Sequence, residues 1–203
     1  IASTVTYVNN LKLRKIKDSN EVQVIGLPMN PRISNIAWSP NDKKISFSHT
    51  AASGVELWVI DVASAKATKL TAATVNANLG SPFSWMNDNE TLLVKMLPKN
   101  RAPLLDAKKD LPTGPIISNA DGVKSQNRTY PDMLKNKNDE INFENVMTSE
   151  LYKVNLDGTA TLFKNAAMYA GESFSPDGNY LMLNTIQKPF SYIVPLNRFP
   201  IQS

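Results

Sequence analysis

Ala37-Trp38-Ser39-Pro40-Asn41-Asp42 runs into Lys43-Lys44-Ile45-Ser46-Phe47-Ser48, and Ser173-Phe174-Ser175-Pro176-Asp177-Gly178 runs into Asn179-Tyr180-Leu181-Met182-Leu183-Asn184. A weaker copy lies between them: Phe83-Ser84-Trp85-Met86-Asn87-Asp88, then Glu90-Thr91-Leu92-Leu93-Val94-Lys95. Each copy ends an apolar segment in an aromatic, turns through polar residues and starts a strand. Pro40 and Pro176 preset φ for the turn, and Asn41-Asp42 and Asp177-Gly178 tolerate tight-turn dihedrals. Ile45/Phe47 and Leu181/Leu183 alternate at period two, which gives each following strand one apolar face. The unit reads as a hairpin.

A second element follows the first. Glu56-Leu57-Trp58-Val59-Ile60-Asp61-Val62 matches Glu150-Leu151-Tyr152-Lys153-Val154-Asn155-Leu156, and each is followed by a turn and a short strand, Ala67 to Leu70 and Ala160 to Phe163. Leu13 to Ile16, Asp18-Ser19-Asn20 and Glu21 to Leu27 form the same half-unit without its front, and Ser191 to Leu196 reads as the start of another. The period is therefore a four-stranded antiparallel unit of about 40 residues, the length of a propeller blade. The chain is expected to be all-β: a β-propeller fragment of about three to four blades, with a sandwich as the alternative. Its blades are expected at 1–30 (the tail of one), 31–72, 80–165 and 167–203 (most of a further one). A closed ring needs at least four blades, so a chain that starts and ends in mid-unit reads as an internal piece of a larger propeller. Its open strand edges could also pair with a second copy.

The repeat spacing exposes an insertion. Trp38 and Trp85 are 47 positions apart, Trp85 and Phe174 are 89. The excess falls at about 98–148, which holds Pro98, Pro103, Pro112, Pro115 and Pro131 among Lys, Asp and Asn. It is too polar and Pro-rich for another blade, and one short helix is expected near Asp132 to Asn136. A long excursion from a regular repeat is a candidate functional loop.

The 203 residues contain no Cys, which removes thiol nucleophiles and thiolate metal sites. The formal charge of +4 is spread along the chain, so no basic stripe for nucleic acid is expected. No apolar run approaches the ~18 residues of a membrane-spanning helix. The single histidine, His49, and the lack of a Gly-x-Ser-x-Gly elbow argue against a serine triad in these residues. Eight glycines form no phosphate-binding loop, so no cofactor is expected. Asp139-Glu140 reads as a solvated turn, and Asp157-Gly158 and Asp177-Gly178 as turns without the remaining ligands of a calcium loop. Trp38, Trp58, Trp85, Tyr152 and Phe174 occupy repeat-equivalent places and are expected to form core between blades.

Two stretches are more specific than the blade pattern. One is Leu111-Pro112-Thr113-Gly114-Pro115, Asn127 to Lys135, Asp139-Glu140, Phe143 and Thr148-Ser149-Glu150-Leu151; the other is Lys188-Pro189-Phe190 through Arg198-Phe199-Pro200. With Gly26-Leu27-Pro28 ahead of Ile33 to Phe47, they resemble the propeller of glutamyl endopeptidase-type serine peptidases of the prolyl oligopeptidase family, with Pro131 as a departure at a position expected to be polar. The resemblance implies a seven-bladed propeller that caps a C-terminal α/β-hydrolase domain in the same parent chain. That domain carries the Ser, Asp and His and cuts peptide substrates after Glu, while the propeller screens them. No triad residue maps onto this chain. The resemblance also implies the periplasm or cell envelope for bacterial members and plastids for plant ones. Arg128 is the cation inside the matched insertion motif. It is a candidate substrate-binding residue, since a guanidinium takes a carboxylate bidentately, with a local salt bridge to Asp132 as the alternative. The rival to the peptidase reading is a free-standing propeller that acts as a protein-interaction module, because fold alone does not choose a function.

Overall fold

The three aromatic-turn-strand repeats fold into three copies of one hydrogen-bond pattern. The residue after the aromatic donates its N–H across the turn: Ser39 to the Lys44 carbonyl, Met86 to that of Thr91 and Ser175 to that of Tyr180, each at 2.9 Å. The fourth residue after the aromatic sits at positive φ in all three, as Asp42 (58°), Asn89 (63°) and Gly178 (73°). A turn carboxylate or amide fastens each loop. Asn41 Oδ1 accepts from the Lys43 N–H, Asp88 Oδ1 from those of Glu90 and Thr91, and Asp177 Oδ1 from that of Asn179. These short polar side chains satisfy backbone donors where the ladder cannot.

The structure is a computed structural model that describes residues 7–106, 122 and 133–203. Its strands are β1 (Lys12–Arg14), β2 (Glu21–Gln23), β3 (Ile33–Trp38), β4 (Lys44–Ala51), β5 (Gly54–Asp61), β6 (Lys66–Lys69), β7 (Phe83–Trp85), β8 (Thr91–Met96), β9 (Ser149–Asn155), β10 (Ala160–Ala167), β11 (Tyr169–Phe174), β12 (Leu181–Ile186) and β13 (Ile201–Gln202). One helix, α1 (Lys137–Met147), precedes β9. The strands make four antiparallel sheets in chain order: β1-β2, β3-β4-β5-β6, β7-β8-β9-β10 and β11-β12-β13. The aromatics pair at matching register, Trp38 with Ile45, Trp85 with Leu92 and Phe174 with Leu181.

Apolar layers join neighbouring sheets. Between the first pair and the second sheet lie Val24, Ile33, Ile45, Phe47, Ile60 and Ala67. Leu57, Val59, Phe83, Trp85, Leu92, Val94 and Val154 fill the seam between the second and third sheets. Leu93, Leu151 and Tyr169 open the seam to the fourth. Period two explains β8, whose six residues are all buried. Leu92, Val94 and Met96 face the preceding sheet while Leu93 faces the following one. A strand covered on both faces reads as a near-continuous apolar run, interrupted in β8 by Thr91 and Lys95. By contrast β10, an outer edge, is exposed along nearly its whole length.

Four expectations are corrected. The helix lies at Lys137–Met147, not at 132–136, because the Asn136 side chain accepts the Asp139 N–H at 2.8 Å and so starts the helix as its N-cap. Asp139-Glu140 accordingly lies in the first helical turn, where a negative charge meets the positive end of the helix dipole. Ser191 to Leu196 is not a strand, and the third strand of the last sheet is β13. Val194 and Leu196 instead join Phe190 and Phe199 in a cluster against α1, and the chain curls into a 3-10 turn at Leu196–Arg198 before β13. Finally, Trp38 is 53% exposed whereas Trp85 is 7% exposed. Trp85 has a complete sheet in front of it; among the described residues Trp38 has only the two strands β1 and β2.

Candidate functional site

The insertion leaves β8 and returns into β9, which pair with each other from Thr91 opposite Asn155 to Met96 opposite Glu150. The excursion therefore starts and ends at one point of the third sheet. Arg128 and Asp132 lie outside the described residues, as do Leu111 to Pro115 and Asn127 to Pro131. The described part of the insertion is held from several sides. Asn76, buried at the sheet seam, donates its Nδ2 to the Val146 and Thr148 carbonyls at 3.0 and 2.9 Å. These are among the carbonyls that a helix C-terminus leaves unpaired. Arg101 Nε donates to the Asn145 carbonyl at 3.0 Å, and the Asn142 side chain bonds both backbone groups of Leu105.

The inner side of α1 meets the connection between β12 and β13. Phe143 lies edge-on to Phe190 and Phe199, with ring centroids 5.1 and 5.6 Å away. Leu79 from the β6–β7 connection, Met168 from the β10–β11 junction and Ile186 at the end of β12 close the cluster. Two polar contacts flank it: Lys188 Nζ to Glu144 Oε2 at 2.6 Å, and the Tyr192 hydroxyl donating to Glu140 Oε2 at 2.6 Å. The Tyr192 hydrogen bond, then that of Lys137, hold the Glu140 carboxyl below its ordinary pKa, and Tyr192 is raised in return. The two stretches that carry the family resemblance thus touch each other through Phe143 and the Phe190 to Phe199 segment.

Beneath this cluster lies a group that the sequence reading missed. Lys95 and Glu172, with side chains 2% and 7% exposed, form an ion pair at 3.4 Å across the last seam. Lys95 Nζ also donates to the Leu79 carbonyl at 3.0 Å, and the Ser84 hydroxyl donates to Glu172 Oε1 at 2.5 Å. Burial depresses the Lys95 pKa, against the pull of the Glu172 charge. The available signal was a lone lysine in the apolar run Leu92-Leu93-Val94-Lys95-Met96. His49 lies within β4, buried, and its Nδ1 accepts the Arg32 N–H at 3.2 Å while its ring meets Trp58 edge-on. Among the described residues, no group of three or more His, Cys, Asp or Glu is placed to hold a metal, and no helix is long and apolar enough to cross a membrane.

At the opposite end of the chain, an open cleft of about 1600 Å³ runs between the β1-β2 hairpin and the turns of the second and third sheets. Trp38 lines it. Its rim carries five Lys or Arg side chains and five Asp or Glu side chains, so it presents no single sign of charge.

Successive antiparallel sheets, stacked through apolar layers with the same turn in each, make this chain a segment of a β-propeller. No family profile matches it. Probable chloroplastic glutamyl endopeptidases of Oryza sativa subsp. japonica and Arabidopsis thaliana do match. The rice protein is 35% identical over 213 residues, covering 98% of this chain and 22% of its own length. The Arabidopsis protein is 34% identical over 192 residues, covering 90% and 20%. A solved structure from a structural and mechanistic analysis of two prolyl endopeptidases shares the fold, with a TM-score of 0.50 and 16% identity over 87% of this chain and 22% of that one. The chain is a homologue of a stretch of the glutamyl endopeptidases and spans about a fifth of the length of the curated relatives it matches.

Proposed function

We propose that this chain is the non-catalytic propeller part of a serine peptidase of glutamyl endopeptidase type, and that it screens or positions peptide substrates for an α/β-hydrolase domain of the same parent chain. Its blade units are assigned to 1–30, 31–72, 80–165 and 167–203. The observation that carries the reading is identity of 35% across 98% of the chain, far beyond what a shared turn repeat requires. Arg128, within the matched insertion, is assigned to recognition of a substrate carboxylate.

The test is a chromogenic peptide assay with Glu at the cleavage position, comparing the 203-residue chain with the full-length product of its gene. Activity in the full-length protein alone is expected. Silence from both overturns the peptidase reading and favours an interaction module. For Arg128, the Arg128→Ala variant of the full-length protein is expected to raise KM for acidic substrates. An unchanged kcat/KM removes that residue from the site.

A further inference from the structure

The crossover from β6 to β7, residues 70–82, does more than connect two sheets. It lies against the end of β8 from which the insertion leaves. Val75 bridges to Met96, the Asn76 N–H donates to the Lys95 carbonyl at 2.9 Å, and the Leu97 N–H donates to the Thr74 carbonyl at 2.8 Å. The crossover then enters the seam between the third and fourth sheets. Gly80 stands at a φ of +64°, and a Cβ there would come within 2.7 Å of the Ala170 carbonyl oxygen, so no side chain fits between the crossover and β11. Lys95 Nζ donates to the Leu79 carbonyl and pairs with Glu172 of β11. One buried ammonium thus ties together β8, the crossover and β11. The helix α1 rests on the same crossover. Asn76, 1% exposed, holds the Val146 and Thr148 carbonyls, and Leu79 packs in the cluster of Phe143 and Met147. On the other flank of α1, the side chains of the Lys188-Glu144 pair are 53% and 40% exposed, and ion pairs of that kind hold little. The aromatic contacts are non-directional. The directional hold on α1 from the sheets therefore comes from the crossover.

We propose that the Lys95-Glu172 pair is a positioning device for the insertion: it fixes the crossover in the seam, and the crossover in turn sets where α1 sits. The coupling runs from the ion pair of β8 and β11, through the Leu79 carbonyl, to the Asn76 side chain under the C-terminus of the helix. An apolar pair could fill the same space. It would leave the Leu79 carbonyl without its donor and the crossover able to shift along the seam. A buried ion pair is satisfied in one arrangement only, which is what a positioning contact requires. The coupling is a property of the fold, and it stands or falls independently of peptidase activity.

The test is amide exchange of the intact parent protein, read by mass spectrometry over 141–147 of α1 and over the β4-β5 hairpin. The double variant Lys95→Met with Glu172→Leu removes both charges, so neither is left buried and unpaired. Its α1 amides are expected to exchange at least about tenfold faster than before, with the hairpin amides within about twofold of their starting rates. Asn76→Ala cuts the same chain of contacts at its other end and is expected to accelerate α1 in the same way. Val59→Ala removes volume at the other seam and is expected to leave α1 as protected as before. Unchanged α1 exchange in either the double variant or Asn76→Ala overturns the proposal. So does a double variant that fails to fold or that loosens the hairpin as much as α1, since the pair would then support the whole propeller and not the helix. Acceleration of α1 by Val59→Ala also overturns it, because α1 would then report overall stability.

Discussion

The two complete seams of this molecule are built differently. The seam between the second and third sheets is closed by Trp85, Phe83, Leu92 and Val94 against Leu57 and Val59, with one tryptophan hydrogen bond crossing it. The seam between the third and fourth sheets carries the buried Lys95-Glu172 pair, the Ser84 hydroxyl and, on one rim, the clasp of α1 on the Phe190 to Phe199 segment. At the other rim Asn87 Nδ2 reaches the Pro176 carbonyl at 3.2 Å. A Cβ on Gly178 would approach the Asn87 side chain to 2.8 Å, so that turn admits nothing larger than glycine. Apolar contact is non-directional and tolerates sliding, whereas a buried ion pair is satisfied only in one register. The first seam therefore supplies mainly cohesion, and the second supplies cohesion and alignment.

Substitutions can break that contrast. The largest effect is expected from Trp85→Ala in the full-length protein. It should cost about 3–5 kcal/mol by denaturant unfolding, from lost burial and the cavity left behind. A loss below about 1 kcal/mol would show that the seam repacks. Next, Glu172→Leu strands the Lys95 ammonium and should cost about 3 kcal/mol or more, while adding Lys95→Met should restore most of it, because an apolar pair of similar volume replaces a buried ion pair at little loss. If the double variant is as unstable as the single one, the pair contributes more than alignment. Removing the helix cap with Asn136→Ala should cost about 1 kcal/mol and show as faster amide exchange within 137–147, with the β3 to β6 sheet unaffected.

The smallest effect is expected from acid. The Asp177 carboxyl is held below the ordinary aspartate value of 3.8 by the Ser175 hydroxyl and then by the Asn179 amide. Asp61 is lowered by the Ser64 amide and hydroxyl. A depressed folded-state pKa means that the unfolded chain binds more protons between the two values. The stabilisation is present above the unfolded value and is lost as pH falls through the folded one. Stability measured downward from pH 5 should therefore decline, and Asp177→Asn should make that decline shallower. A decline of equal slope in the variant would place the acid sensitivity elsewhere.

Local chemistry made much of the fold legible. The Ser-Pro-Asn-Asp and Ser-Pro-Asp-Gly turns, the period-two strands and the matched Glu-Leu-Trp and Glu-Leu-Tyr strands all act within a few residues, and they fold as read. The insertion was located by spacing alone. Its helix was misplaced because Asn136 serves equally well in a turn or as a cap, and only the chain that follows decides between them. Ser191 to Leu196 looked like a strand because its apolar residues had no visible partner in the sequence other than a sheet.

What the sequence determined by itself was the repeat, the antiparallel unit and the kinship, since those reside in residue order and short-range backbone preference. The tertiary structure decided the rest. It sent Phe143 of the insertion onto Phe190 and Phe199, set Lys95 opposite Glu172, and left Trp38 open where Trp85 is closed. In each case the outcome depends on which surface lies across the seam, and burial and pairing are properties of two surfaces, only one of which a strand's own sequence describes.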